Sequence, residues 1–261
     1  MLYALACSPS FAADFDLTKG KLEAALAMNH RNIENQDRDE NRDPVAAMDF
    51  CRLRDDMTVI EFGPGAGWYT EILGPVLREK GRLFIAYKDS WMNSLDTLLE
   101  QDFMSAVKKN PIDISWNSEK QKFNIGNIVY NVDTADLALS IREYHNLSEE
   151  GAKRLNEETY RALKPGGYYC IIDHTRRHME PIYSENRRRA DPVVVILQVQ
   201  AAGFDFIDYS DIFHRPDDEL RYEVDRKSLE KNSDRFSLLF HKPTDWRLYI
   251  HLHTLRSIIE S

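Results

Sequence analysis

Residues 59–69 have the sequence Val59-Ile60-Glu61-Phe62-Gly63-Pro64-Gly65-Ala66-Gly67-Trp68-Tyr69. An apolar run of strand character, with Glu61 near its end, leads through three glycines at alternate positions into a helical pattern. Glycines at such a turn allow a ligand to lie against the backbone, because a side chain would take up that space. The first N–H groups of the following helix are free to bind the ligand. The stretch therefore predicts a strand, a ligand-binding turn and a helix.

The segments on either side of this turn alternate between strand and helix patterns. Helical patterns cover residues 18–30, 68–79, 90–108, 148–163 and 191–201, and Asp43-Pro44 marks one more helix start. The predicted strands are 57–62, 82–87, 112–116, 136–140, 168–173, 204–209 and 235–241. Such alternation requires βαβ crossovers, so the sequence predicts an α/β fold with a mostly parallel sheet. Ligands of such sheets bind outside the carboxyl ends of the strands.

The composition of the chain limits its class of function. The 261 residues are 43% hydrophobic, which is enough for a sizeable core in a single α/β domain. The net charge of −9 would repel a polyanion, which argues against a broad nucleic-acid interface. The composition also predicts no integral membrane segment.

The two ends of the chain differ from the predicted domain. Residues 1–13 carry no charged side chain and end in small residues, which predicts a signal peptide; the alternative is an apolar N-terminal tail. A functional leader implies a periplasmic or secreted protein, and the alternative is a cytoplasmic one. Residues 14–243 form the predicted domain, including an N-terminal helical cap, and residues 244–261 form a C-terminal extension. For His251 and His253 in that extension we predict packing against the domain or a second subunit, as in a homodimer, in preference to a metal site.

The three cysteines, Cys7, Cys51 and Cys170, have neither the number nor the spacing of a disulfide framework or a metal cluster. Cys170 lies inside a predicted strand. We predict that Cys51 and Cys170 are buried, inert thiols in preference to a disulfide.

The glycine spacing matches the pattern E/DxGxGxG, and on this motif the chain resembles the class I S-adenosylmethionine-dependent methyltransferases. Three further stretches agree with the resemblance, namely Thr134-Ala135-Asp136-Leu137-Ala138-Leu139-Ser140, Ala162-Leu163-Lys164-Pro165-Gly166-Gly167 and Asp234-Arg235-Phe236-Ser237-Leu238-Leu239-Phe240. The resemblance covers residues 40–243. Within it the chain is most similar to a bacterial group of predicted methyltransferases that often carry export leaders. The traits of that group are Gly67-Trp68-Tyr69-Thr70, Arg142 with Tyr144-His145-Asn146, and Asp173-His174.

The resemblance implies a Rossmann-like, seven-stranded sheet in which the last strand is antiparallel, with the methyl donor S-adenosylmethionine over the glycine turn. The residues it implies for the donor site are Glu61, Gly63, Gly65, Gly67 and Tyr69. Members of the family usually end the second strand with an acid that binds both ribose hydroxyls. The corresponding residue here is Tyr87, and Asp89 is the candidate replacement.

The resemblance also implies that Arg142, His145, Asp173 and His174 lie at the carboxyl edge of the sheet, beside the donor. Methyl transfer to a hydroxyl or a protonated amine needs a base, and an imidazole oriented by a carboxylate suits that task. His145 and His174 are therefore the candidate bases.

Two basic runs follow the fifth strand, where substrate loops usually lie. Arg176-Arg177-His178 and residues 187–189 are consistent with an anionic small substrate; the alternative is a solvated helix face balanced by Glu180 and Glu185. The resemblance as a whole implies methyl transfer from S-adenosylmethionine to a small-molecule acceptor. The alternative is an exported protein of methyltransferase fold that is non-catalytic or uses a different ligand or reaction.

Overall fold

A computed structural model of the protein describes residues 11–132 and 134–244. The strands within these residues are β1 Thr58–Phe62, β2 Arg82–Tyr87, β3 Val107–Pro111, β4 Ile114–Asn117, β5 Lys122–Ile125, β6 Ala135–Ile141, β7 Leu163–His174, β8 Asp205–Ser210 and β9 Arg235–His241. The helices are α1 Phe11–Leu26, α2 Ile33–Gln36, α3 Asp39–Arg42, α4 Pro44–Phe50, α5 Thr70–Leu77, α6 Asp96–Leu99, α7 Glu149–Ala162 and α8 Pro192–Ala201.

Seven of these strands form one sheet in the order β3-β2-β1-β6-β7-β9-β8. Neighbouring strands are parallel except at β9, which is antiparallel to both β7 and β8. β1 and β2 are almost entirely buried, as expected for strands covered on both faces. The predicted seven-stranded sheet with an antiparallel last strand is confirmed.

The strand order opens a crevice between β1 and β6, because the chain first moves outward from β1 to β3 and then returns to β6. Phe62 at the end of β1 lies opposite Ala86 on β2 and Ser140 on β6. Ile141 on β6 lies opposite Ile172 on β7. The segments that follow these four strands therefore start at the same edge of the sheet.

Local signals explain where several helices begin. The side chain of Asp43 accepts a hydrogen bond from the N–H of Ala46 at 3.1 Å, so the predicted helix start at Asp43-Pro44 is confirmed. Ser148 caps α7 through the N–H of Gly151 at 3.1 Å. The N-terminal helix α1 begins and ends earlier than the predicted 18–30.

Two predictions about residues 90–116 are wrong. The predicted helix 90–108 is a series of short helical turns, of which α6 is one, followed by strand β3. The predicted strand 112–116 overlaps β4, but β4 pairs with β5 in a separate antiparallel hairpin and does not belong to the main sheet. β3 is an edge strand of the main sheet and includes Lys108 and Lys109, so it has no apolar run from which a strand is predicted.

The prediction of two free thiols is also wrong. Cys51, just after α4, and Cys170, in β7, form a buried disulfide with a Cα–Cα distance of 5.4 Å. The two residues are 119 apart in sequence, so only the folded chain brings them within bonding range.

The predictions for residues 1–10 and 245–261 lie outside the described residues, so the signal peptide and the C-terminal extension with His251 and His253 stay predictions. Residues 11–13, the rest of the predicted leader, belong to the first turn of α1. Along residues 11–132 and 134–244, no helix combines the length and the apolar character needed to cross a bilayer.

Candidate functional site

A cavity of about 270 Å³ lies in front of the glycine turn, at the crevice between β1 and β6. Its lining residues come from the N-terminal helical segment, the glycine turn and the segment after β6. They are Asn35, Arg38, Arg42, Glu61, Gly63, Pro64, Gly65, Ala66, Trp68, Tyr69, Ile141, Arg142 and Glu143. Of the seven residues predicted for the donor site, four line this cavity, whereas Gly67, Tyr87 and Asp89 are not among the lining residues.

The glycine turn has a backbone that favours glycine at each of its three positions. Gly63, Gly65 and Gly67 have φ angles of 69°, 55° and 83°. A Cβ atom on Gly63 would lie 2.5 Å from Cγ of Glu143, and one on Gly67 would lie 2.6 Å from a methyl carbon of Leu95. A Cβ atom on Gly65 would meet nothing within 4 Å. Gly65 is thus the glycine whose missing side chain leaves open space for a ligand.

Glu61 is a buried residue near the end of β1, just before this turn. Its carboxylate accepts a hydrogen bond of 2.7 Å from the hydroxyl of Thr70, the first residue of α5. Burial raises the pKa of Glu61 from 4.5 to about 7, and the Thr70 hydrogen bond opposes this increase. Tyr69 precedes α5 and is also buried, and burial raises the pKa of its hydroxyl.

The second strand ends in a buried tyrosine where an acid was expected. The hydroxyl of Tyr87 donates to Oε2 of Glu143 at 3.4 Å. Asp89 is exposed on the helical turn that follows β2 and is absent from the residues that line the cavity. The carboxylate nearest to Tyr87 on the cavity side is therefore that of Glu143.

Glu143 is a residue that the sequence reasoning missed. It follows β6, lies against Gly63, and also accepts a hydrogen bond of 3.2 Å from the side chain of Asn146. Burial raises the pKa of Glu143 to about 7, while His145 and Asn146 oppose this change. The signal that points to it is its position between Arg142 and Tyr144-His145-Asn146, just after the strand that lies next to β1.

His145 and Asp173 form a buried pair at the ends of β6 and β7. His145 Nδ1 and Asp173 Oδ1 are 2.7 Å apart, and the backbone N–H groups of His145 and His174 each donate to the same carboxylate at 2.7 Å. An ionised carboxylate on Nδ1 holds the hydrogen there and leaves the lone pair of the imidazole on Nε2. Among the described residues Nε2 of His145 has no hydrogen-bond partner. Of the four residues predicted for catalysis, Arg142 lines the cavity, whereas His145, Asp173 and His174 are not among the lining residues.

His174 lies 5.8 Å from His145, measured between ring centroids, but its ring is fully engaged. Nε of Arg142 donates to Nε2 of His174 at 3.1 Å, and Nδ1 of His174 therefore carries the hydrogen and donates to Oγ of Ser233 at 2.7 Å. Burial, together with Arg142 and other nearby cations, lowers the pKa of His174 well below its usual value. A neutral His174 in this geometry orients Arg142 and has no free lone pair.

The basic runs after β7 form an irregular segment with ion pairs and not a solvated helix face. Arg189 is buried and binds both carboxylate oxygens of Asp218 at 2.9 Å. Arg188 pairs with Glu223 and Asp225. Two of these arginines are therefore used within the fold.

No group of three His, Cys, Asp or Glu side chains with the arrangement of a metal site occurs in the part of the chain that the structure describes.

The fold is similar to that of several solved structures. No protein-family model and no curated protein matches the sequence. Among solved structures, an S-adenosylmethionine-dependent methyltransferase from Aquifex aeolicus aligns with 85% of this chain and 97% of its own, with a TM-score of 0.55 and 20% identity. The (4+2)-cyclase SpnF aligns with 88% of this chain and 94% of its own, with a TM-score of 0.59 and 16% identity. Human N-acetylserotonin methyltransferase in complex with S-adenosylmethionine aligns with 92% of this chain and 61% of its own, with a TM-score of 0.52 and 14% identity.

These similarities establish an architecture. The protein has the class I methyltransferase fold, with its cavity at the edge of the sheet where ligands of open α/β sheets bind.

Proposed function

We propose that the protein binds S-adenosylmethionine in the cavity at the glycine turn and transfers its methyl group to a small-molecule acceptor. The observation that carries the proposal is the open space at Gly65, in a turn that otherwise packs tightly against Glu143 and Leu95.

The charges of the cavity fit the donor. Its two carboxylates, Glu61 and Glu143, suit hydroxyl groups that donate hydrogen bonds, such as those of a ribose. Arg38 and Arg42 suit a carboxylate such as that of a methionine. Because Tyr87 occupies the usual position of the ribose acid, we assign the ribose hydroxyls to Glu143, which the Tyr87 hydroxyl contacts.

The chain's own residues supply positioning and a base. When bound, the donor would supply a methyl group on a sulfonium: the acceptor would attack the methyl carbon in line with the bond from that carbon to sulfur, this bond would break, and S-adenosylhomocysteine would leave. Nε2 of His145 takes the proton from the acceptor hydroxyl or amine as the new bond to the methyl carbon forms. Asp173 stabilises the resulting imidazolium through Nδ1, and the product leaves with one methyl group more and one proton fewer.

For the cellular location we propose export. The buried disulfide between Cys51 and Cys170 supports an oxidising compartment, because such bonds persist mainly outside the cytosol. Expression of the full chain in a bacterial host, followed by fractionation and N-terminal sequencing, tests this proposal. Full-length protein confined to the cytosol would contradict it.

The alternative function is a different ligand or reaction on the same fold. One structural neighbour is named as a cyclase, which supports the view that this architecture is compatible with reactions other than methyl transfer. Export would also separate the protein from the cytosolic pool of the donor.

Calorimetric titration of the full chain with S-adenosylmethionine and S-adenosylhomocysteine distinguishes the two functions. We expect binding of one molecule per chain, and a loss of at least about tenfold in affinity for Gly65→Asn, because asparagine tolerates a positive φ while its side chain enters the ligand space. Gly166→Asn is the matched control, since Gly166 has a φ of 82° and lies outside the cavity lining. Absence of binding by the unaltered protein would favour the alternative, and equal binding by Gly65→Asn would mean that the donor lies elsewhere.

A further inference from the structure

Four arginines come together beside the cavity, from three separate parts of the chain. Arg38 and Arg42 come from the N-terminal helical segment, Arg142 follows β6, and Arg235 begins β9 directly opposite His174. The first three line the cavity, and Arg235 reaches the same region by donating from Nη2 to the backbone carbonyl of Asn41.

The surroundings of these arginines contain little compensating negative charge. Among the described residues none of the four has a carboxylate within ion-pair distance. Asp225 interacts electrostatically with Arg38 and Arg142, but its own ion pair is with Arg188, at 2.6 Å. The four guanidinium groups therefore lack a carboxylate partner among the described residues, and an anion bound in the cavity would supply the missing negative charge.

Burial makes this arrangement unusual. Arg42 and Arg235 are 8% and 5% exposed, and the Nε atom of each is buried without a hydrogen-bond partner. Their guanidinium groups are held in place by aromatic rings: Arg42 lies 4.4 Å from the centre of Trp68, and Arg235 lies 4.2 Å from that of Phe213. Two rigidly positioned guanidinium groups thus retain unused donors.

The arginines also repel one another. Burial, with repulsion from Arg142 and Arg38, lowers the pKa of Arg42 to about 9. Burial, again with repulsion from Arg142 and Arg38, lowers the pKa of Arg235 to about 10. A buried cationic group without a counter-charge destabilises a fold, so a cluster of this kind is expected where an anion supplies that charge.

The donor carboxylate of the proposed function accounts for only part of this cluster. The proposed function uses Arg38 and Arg42 for that carboxylate, whereas three arginines line the cavity, so Arg142 remains without an anionic partner. Arg142 is the one that His174 holds in place, on the side of the cavity next to His145. A second anionic group bound at Arg142 would therefore lie beside the proposed base.

We propose that this arginine cluster binds an anionic group of the methyl acceptor, a carboxylate or a phosphate, in addition to the donor's carboxylate. The acceptor class is then a small molecule with an anionic group close to the hydroxyl or amine that is methylated. The assignment of the anion to the acceptor depends on the proposed function, whereas the anion site itself does not.

The test uses the full chain loaded with saturating S-adenosylhomocysteine, titrated separately with inorganic phosphate and with acetate. We expect one phosphate or one acetate per chain, and the tighter of the two identifies the anionic group. Arg142→Gln is expected to weaken this binding by at least tenfold, and Arg142→Lys to restore only part of it, because lysine keeps the charge and loses the planar fork. Arg82→Gln is the control, since Arg82 is exposed at the start of β2, at the opposite edge of the sheet. Thermal midpoints verify that each variant is folded.

The outcomes separate this inference from the proposed function. If the loaded protein binds neither anion while the unloaded protein binds one, the cluster serves the donor alone and the acceptor assignment is wrong. If neither state binds an anion, the cluster is not an anion site. If S-adenosylhomocysteine itself does not bind, the proposed function fails, and anion binding to the unloaded protein that Arg142→Gln loses would still establish the site.

Discussion

Replacement of Glu61 by glutamine is expected to change how the stability of the protein depends on pH. The carboxyl group of Glu61 holds its proton up to about pH 7 in the folded protein, whereas a pKa of 4.5 applies in the unfolded chain. Between these values the folded state binds more protons than the unfolded state, so the free energy of unfolding falls as the pH rises through this range. A difference of one in pKa between the folded and unfolded states corresponds to about 1.36 kcal/mol. The free energy of unfolding therefore changes by about 3.4 kcal/mol in total, of which about 2.5 kcal/mol falls between pH 5 and pH 8.

Urea unfolding of the unaltered protein and of Glu61→Gln at pH 5, 6, 7 and 8 measures this effect. We expect the free energy of unfolding of the unaltered protein to fall by about 2.5 kcal/mol more than that of the variant from pH 5 to pH 8, since all other groups titrate in both. Glu157→Gln, on the exposed side of α7, is the control and is expected to follow the unaltered protein. Parallel pH curves for the unaltered protein and Glu61→Gln would refute the reasoning about burial of this carboxyl group.

Three further predictions concern the donor, the base and the disulfide. Glu143→Gln is expected to weaken S-adenosylhomocysteine binding by about tenfold in calorimetry at pH 8, where a neutral amide replaces an ionised carboxylate; unchanged affinity would mean that Glu143 does not bind the ribose. With an acceptor found by screening, His145→Ala is expected to lower turnover by about 10² to 10⁴, and Asp173→Asn by less, with donor affinity within a few-fold; full activity in both variants would make the pair structural. Cys51→Ala is expected to lower the free energy of unfolding by about 2 to 5 kcal/mol in urea, and an unchanged value would argue against the cross-link.

The glycine turn and the parallel sheet were predictable because their determinants are local. The strand, the three glycines and the start of the following helix lie within residues 59–69. Hydrophobic periodicity predicted most of the other strands. The edge strand β3 escaped prediction because an edge strand tolerates lysines, and the sequence does not reveal which strand lies at an edge.

The arginine cluster and Glu143 were not predictable for a different reason. Arg235 reaches the carbonyl of Asn41, 194 residues away, and no sequence pattern links two such positions. Glu143 acquires its importance from its packing against Gly63 and from the tyrosine that ends β2. The arginines that the sequence made conspicuous, at 187–189, include two that pair with acids inside the fold.

The disulfide divides the covalent chain into a ring and two arms. The ring runs from Cys51 to Cys170 and contains the glycine turn, Glu143 and His145, whereas Asp173 belongs to the C-terminal arm. Of the four clustered arginines only one belongs to the ring; two lie on the N-terminal arm and one on the C-terminal arm. Arg38 and Arg42 are thus joined to the glycine turn only through the N-terminal arm, and Arg235 and the partner of His145 only through the C-terminal arm.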